Sequence, residues 1–467
     1  GTYSDADTAA RTITFSHNGT SALCSRNGGT TYTACDSAST LVYTTTEYAG
    51  AVLKIKVSKT GYADAIYTIT LPTDLAGITY SACTATVSAD TNFTGFPARP
   101  LNAVICIDPG VTITRAGGEN TMTFAGNNVK IIGLGSGATR PLFVTAGVAG
   151  TDGVFTNTRT GTVISNVRFT KTGASTTQAA ISNDGGGSLT ISGISCDSST
   201  VGPMANTGTC LGLINFGVLT TTVRYSDFVG TGSAADVIFV QGGVGSVATF
   251  DNITSTKSGG GMADALWVNG GTAFITNSTL VNSGCNGGSG ALELGGSGDM
   301  GSAGTPISNN ILTSTGADCA ALVISNGTSN LYVSSSTISS TGLGAGTATA
   351  AINLNSIASG QVVQIQSSIV STDYRAMDLH SDGTLARVLL NNNTFKHLAS
   401  GTTATVFLVS GGGPIFYATD STLNGNAFCN VGTGAPWFSG VFSGTQDASS
   451  TMLLANQYNA GVLYNCP

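Results

Sequence analysis

Charge is what this sequence has least of. Its 17 Lys and Arg and 24 Asp and Glu make up 9% of the chain and leave a net charge of −7, with no basic run able to neutralise a nucleic-acid backbone. Nucleic acid is therefore not an expected partner. Three histidines and the absence of any Cys-x-x-Cys pair provide no zinc pattern, so neither a metal nor another cofactor is expected. No apolar run approaches the ~20 residues that cross a bilayer, which argues against a membrane span. The residues from Gly1 show no charged and apolar leader, and the chain reads as a mature product or a trimmed piece of a longer one, which leaves export open.

What the chain has in abundance is small residues. Glycine alone contributes 64 of 467 positions, and Ser, Thr, Ala, Asn and Val make up most of the rest, so the polar surface consists of hydroxyls and amides. With 41% hydrophobic residues the composition is too apolar for a solvated coil. The ten cysteines fall into sequential neighbours: Cys24 with Cys35, Cys83 with Cys106, Cys196 with Cys210, Cys285 with Cys319, and Cys429 with Cys466. Five local disulfides and an oxidising, extracellular compartment are the expectation, with buried free thiols as the alternative.

One short pattern recurs ten times between Ile164 and Phe428, at steps of 25 to 33 residues: an apolar residue, a small or Asn-bearing middle, a second apolar residue. The copies begin at Ile164, Ile191, Val223, Ala248, Ile275, Ile307, Val333, Ile365, Leu390 and Leu423. A second apolar column precedes each copy by about ten residues, and turn clusters such as NDGGG at Asn183 to Gly187 and SGGG at Ser410 to Gly413 separate the two. Gly and Asn tolerate the positive φ of such corners. A repeat of this length without helical periodicity requires stacked β coils, each covering the apolar face of its neighbour.

From about residue 100 to 465 the pattern resembles the right-handed parallel β-helices of the pectin-lyase-like class, a fold that hosts lyases, hydrolases and inert stalks alike. Residues 1 to 72 lack the repeat and alternate as a small antiparallel sandwich does. Within them GTYS at Gly1 to Ser4, EYAG at Glu47 to Gly50 and KTGY at Lys59 to Tyr62 resemble the immunoglobulin-like domain found at the C-terminus of chitobiases and in bacterial surface proteins. That resemblance implies an accessory or spacer module. The expected organisation is all-β: an immunoglobulin-like sandwich over 1–72, a transition and cap over 73–103, and a parallel β-helix over 104–467.

Enzymes on this fold need carboxylates clustered in one column of successive coils. Asp227 and Asp251 fall at adjacent positions of consecutive copies, but the following copies carry Ser, Thr, Asn and Ile there. The densest polar group is DYRAMDLHSD, Asp373 to Asp382. Strand alternation would put Asp378, His380 and Asp382 on one exposed face, making them the candidate acid–base or metal residues beside a plainer reading as a solvated edge. Trp267 is placed equally well facing core or solvent, Trp437 in a loop is expected to be accessible, and Asn18, Asn92, Asn252, Asn277 and Asn326 stand in glycosylation-like triplets at about chance frequency. No catalytic set, cofactor site or metal site is assigned.

The leading expectation is a secreted or cell-surface structural or adhesive protein, self-associating head-to-tail into a filament or binding host or surface glycans. The alternatives are a polysaccharide lyase or glycoside hydrolase, and a non-catalytic glycan-binding adhesin.

Overall fold

The fold was analysed in a computed structural model. It describes residues 2–3, 12–25, 29–42, 52–70, 83–134, 137–146, 153–172, 179–185, 187–199, 209–214, 220–232, 235–261, 263–285, 289–316, 319–325, 329–342, 350–354, 360–373, 375–380, 387–398, 407–410, 422–424, 426–429 and 438–439. No α-helix occurs among them. From Ala85 onward the chain winds as a parallel β-solenoid with three long sheets. The first sheet has 14 strands, the second 13 and the third 12. Every strand pair from Ala85–Val87 onward is parallel, and pairing begins inside the stretch read as a transition.

The repeat of the sequence is the first sheet together with the corner that leads to the second. Ile164, Ile191, Val223, Phe250 and Ile275 are successive register partners, and Val333, Ile365, Leu390 and Leu423 continue the column. Ile164, Ile191, Val223, Phe250, Ile275, Val333, Ile365 and Leu390 are buried in one continuous core, because each coil places the same apolar side chain over the last. One copy is framed differently from its expected position. The coil read as starting at Ala248 aligns on Phe250, two residues later. The corner residue marks the true frame: nine consecutive coils turn on a residue of positive φ at Asn166, Gly193, Tyr225, Asn252, Asn277, Asn309, Ser335, Ser367 and Asn392. Asn and Gly accept that conformation with least strain, which is why the middle of the repeat is small or amide-bearing.

The residue after the corner joins the coils. Ser278 N donates to Asn310 Oδ1 (3.0 Å), Asn310 N to Ser336 Oγ (3.2 Å), and Ser336 N to Ser368 Oγ (3.2 Å). Ser368 N then donates to Asn393 Oδ1 (3.0 Å) and Asn393 N to Asn426 Oδ1 (2.9 Å). These side chains are buried, so each supplies the acceptor its neighbour's amide cannot find in water. A second polar seam lies where the second sheet turns to the third. There Lys171, Ser198, Lys257, Asn282, Ser314, Ser340 and Thr372 occupy one register column and all are buried. Asn282 Nδ2 donates to Ala263 O and Gly290 O, and Ser314 Oγ to Ala320 O.

Before the solenoid lie two small antiparallel sheets. One joins Thr2–Tyr3, Thr12–Ser16 and Thr40–Val42. The other joins Thr33–Ala34, Ser21–Ser25, Val52–Ser58 and Ala65–Thr70. Phe15 and Leu41 of the first pack with Cys24, Leu53, Ile55 and Val57 of the second in a core of their own.

Four of the five expected disulfides are present, Cys24–Cys35, Cys83–Cys106, Cys196–Cys210 and Cys285–Cys319, with Cα separations of 5.0 to 5.8 Å. The bond expected between Cys429 and Cys466 lies outside the described residues.

Candidate functional site

The third sheet holds the concentrated chemistry, and the reason is its outer face. Along Leu266–Gly270, Leu266 and Val268 enter the core while Trp267 points away from it. The outward column continues through register as Phe239, Trp267, Glu293, Val323, Asn353 and Asp378. An outward strand position is ordinarily exposed. Here Phe239 and Val323 are fully buried, Asp378 is 1% exposed, Asn353 5% and Glu293 9%.

Beside this column sits a group of buried ionisable side chains. Asp236 and Asp264 each stand two residues before a third-sheet strand, Ile238–Gln241 and Leu266–Gly270. Asp264 N donates to Asp236 Oδ1 (2.8 Å), and Gly290 N donates to Asp264 Oδ1 (2.5 Å), so the carboxylates link three successive coils. The Asp264 carboxyl also hydrogen-bonds that of Glu293. Burial raises Asp264 well above the ordinary carboxylate range, reinforced by the charges of Glu293 and Asp236. Burial likewise pushes Asp236 up to about 7, against the opposing pull of the Asp264 amide and Lys257. Lys257 donates from Nζ to Gly232 O (2.5 Å) and Gly259 O (2.7 Å), and burial lowers its pKa while Asp236 and Asp264 hold it up. Two buried like charges in contact repel, so a hydrogen bond between the two carboxyls favours the protonated form of Asp264, in the same place where the backbone amides of the coils need acceptors.

The sequence reading did not single out Asp236, Asp264, Glu293 or Lys257. A signal was present: the pairs Ala235-Asp236 and Ala263-Asp264 recur at the same place in consecutive coils. Of the residues that were singled out, Asp378 lies on strand Met377–His380 and is buried, against the expectation of an exposed face. The backbone of His380 pairs with Ser410, its side chain is outside the described set, and Asp382 lies outside the described residues altogether. Asp227 and Asp251 are not in register. Asp251 pairs with Arg224 and Thr276 in the first sheet, whereas Asp227 pairs with Ser195 and Thr254 in the second; the frame shift at Phe250 widens their offset from one position to three. Asp251 accepts from Thr276 Oγ1 and Asn277 Nδ2. Trp267 packs edge-on against Phe239 at 5.0 Å; Trp437 lies outside the described residues. No group of three or more His, Cys, Asp and Glu able to hold a metal ion occurs among the described residues.

No family model matches the chain, and no curated protein matches it. Among solved structures it is similar to the A-module of the mannuronan C-5 epimerase AlgE6 of Azotobacter vinelandii, at 12% identity and a TM-score of 0.39, over 68% of this chain and 91% of that one.

Proposed function

We propose that this chain is an extracellular structural or adhesive surface protein whose solenoid serves as a shaft. The observation that carries the reading is where the polar side chains point their hydrogen bonds. The amides and hydroxyls at the first corner, Lys257, Asn282 and Ser340 of the second-corner seam, and the carboxylates Asp236 and Asp264 act as acceptors or donors for the backbone of neighbouring coils, while Ser314 ties Ala320 O within its own coil. A side chain so engaged joins coils and is withdrawn from substrate. Local disulfides suit an oxidising compartment, and no described helix is long and apolar enough to cross a membrane. Because a solenoid presents unpaired backbone at its ends, head-to-tail contacts between copies would give an open filament.

The test is product release from a panel of neutral and acidic polysaccharides, run beside electron microscopy of the concentrated protein. Filaments without products support the shaft. The competing reading, a polysaccharide lyase or hydrolase, draws on the hydrogen-bonded carboxyls of Asp264 and Glu293. Products from any polysaccharide that disappear in Glu293→Gln or Asp378→Ala would replace the structural reading with that one. Binding on a glycan array without products would make the protein an adhesin.

A further inference from the structure

The carboxylates beside the third sheet do more than join coils, because neutral residues occupy the same place elsewhere in the stack. Two positions before the register column Leu211, Ile238, Leu266, Leu292, Leu322 and Ile352 stand Thr209, Asp236, Asp264, Gly290, Ala320 and Ala350. Only Asp236 and Asp264 among these are acids. Thr209 links its coil to the next through a hydroxyl, donating Oγ1 to Asp236 O at 3.1 Å. Asn282 and Ser340 of the second-corner seam also join coils without a charge. A buried amide needs an acceptor, and a neutral side chain supplies one.

What an acid adds is a proton. The Asp264 and Glu293 side chains hydrogen-bond carboxyl to carboxyl, and such a bond exists only while one of the two is protonated, since an ionised carboxylate has no donor. Both are buried, as is Asp236, whose Oδ1 accepts the Asp264 amide. Among the described residues, the charged groups acting on the pair are Asp236 of the preceding coil and Lys257 at the end of strand Thr254–Lys257. The Lys257 ammonium donates to Gly232 O and Gly259 O. Losing the shared proton would therefore set three carboxylates against one ammonium, where little water screens them. Glu293 has the way out: it stands in the outward column between its register partners Trp267 and Val323, whereas Asp264 is tied to the Gly290 amide.

We propose that the Asp264–Glu293 pair is a proton-held clasp: while protonated it fixes adjacent coils of the third sheet, and on losing its proton it releases Glu293 towards solvent and loosens that stretch alone. The device belongs to the stack and stands whether the chain is a shaft or an enzyme. Its effect is local because a solenoid opens coil by coil. Its direction follows from linkage. In the closed clasp Asp264 is held well above the ordinary carboxylate range, chiefly by burial, and once open and hydrated it returns to that range. The clasp is then tightest below about pH 4, and its opening rises by up to about tenfold per pH unit until the closed Asp264 itself titrates.

Hydrogen exchange of the whole chain from pH 4 to 8, corrected for the intrinsic exchange rate, tests this. Protection of the Gly290 amide should fall by up to about tenfold per pH unit. The Ser278 amide lies in the chain between the two carboxyls and is accepted by Asn310, so its protection should hold. In Asp236→Asn, where the pair is left to titrate, the fall at Gly290 should persist. Adding Asp264→Asn, which keeps an acceptor for Gly290 and gains a donor for Glu293, should abolish it. Glu293→Gln removes the like charge and should end the fall at a lower pH. These replacements are nearly isosteric, and an unchanged far-UV spectrum confirms that each variant folds. Gly290 protection indifferent to pH, or a fall that survives the double variant, overturns the proposal. So does a Glu293→Gln profile identical to wild type, or an equal fall at Ser278, which would mean that the stack opens as a whole.

Discussion

Asn310 offers the sharpest test of how the coils are held. Its Oδ1 accepts the Ser278 amide at 3.0 Å and its Nδ2 donates to Ile275 O at 2.9 Å, with the side chain 1% exposed. In Asn310→Ala the Ser278 amide loses the acceptor it has among the described residues, and a buried donor left unmatched costs about 1–3 kcal/mol. The contact to the Ile275 carbonyl adds about 0.5–1.5 kcal/mol, as that oxygen keeps its place in the sheet. The sum is about 1.5–4.5 kcal/mol. Asn310→Ser should cost far less, under about 1 kcal/mol. Ser278, Ser336 and Ser368 already do the same task, each donating Oγ to the carbonyl two residues back while accepting from the neighbouring coil. A solenoid opens locally, so global denaturation is a poor probe. Hydrogen exchange at the Ser278 amide is the better one: at 1.4 kcal/mol per factor of ten, Asn310→Ala should speed it by roughly 10- to 1,600-fold, and Asn310→Ser by less than about tenfold. Equal protection in the alanine and serine variants would refute the claim that the column works through its acceptors.

Asp236 and the Cys285–Cys319 bond yield two more expectations. With its pKa raised from the ordinary carboxylate value to about 7, Asp236 holds a proton in the folded chain that the unfolded chain has released. Its contribution is therefore full below pH ~4 and lost as pH rises through about 7. Stability measured from pH 4 to 8 should fall across that window in the wild type and stay flatter in Asp236→Asn, which retains an acceptor for the Asp264 amide. Replacing Cys285 and Cys319 by Ala opens a loop closed over a sequence separation of 34, worth about 3–4 kcal/mol on a chain-entropy basis. Limited proteolysis between these residues should accelerate, while Cys24→Ala with Cys35→Ala should leave that site untouched.

Much of the architecture was legible in the chain itself. Contacts in a solenoid run along the stack, so residues that touch are one repeat apart and tend to be of one kind. The column Ile164, Ile191, Val223 records such contacts, as do the Asn and Ser after each corner and four of the cysteine pairs. The misplaced frame at Ala248 shows where this signal weakens. Thr249 and Asp251 flank Phe250 in an alternation that satisfies two frames equally, and only the positive φ at Asn252 decides between them. Asp236 and Asp264 escaped notice for a related reason: they precede the strands, in the connecting segments where repeat lengths vary.

What the sequence by itself determined is the periodicity, and with it the parallel solenoid, its core and its composition of hydroxyl and amide corners. Tertiary structure alone decided which outward faces meet water. Strand alternation places Asp378 and Ile311 alike, each pointing away from the core, yet Asp378 is buried and Ile311 is half exposed. Alternation is a property of the local backbone, set by the pleat. Whether an outward position is covered depends on what packs against it in three dimensions, and that information is carried by no single period of the chain.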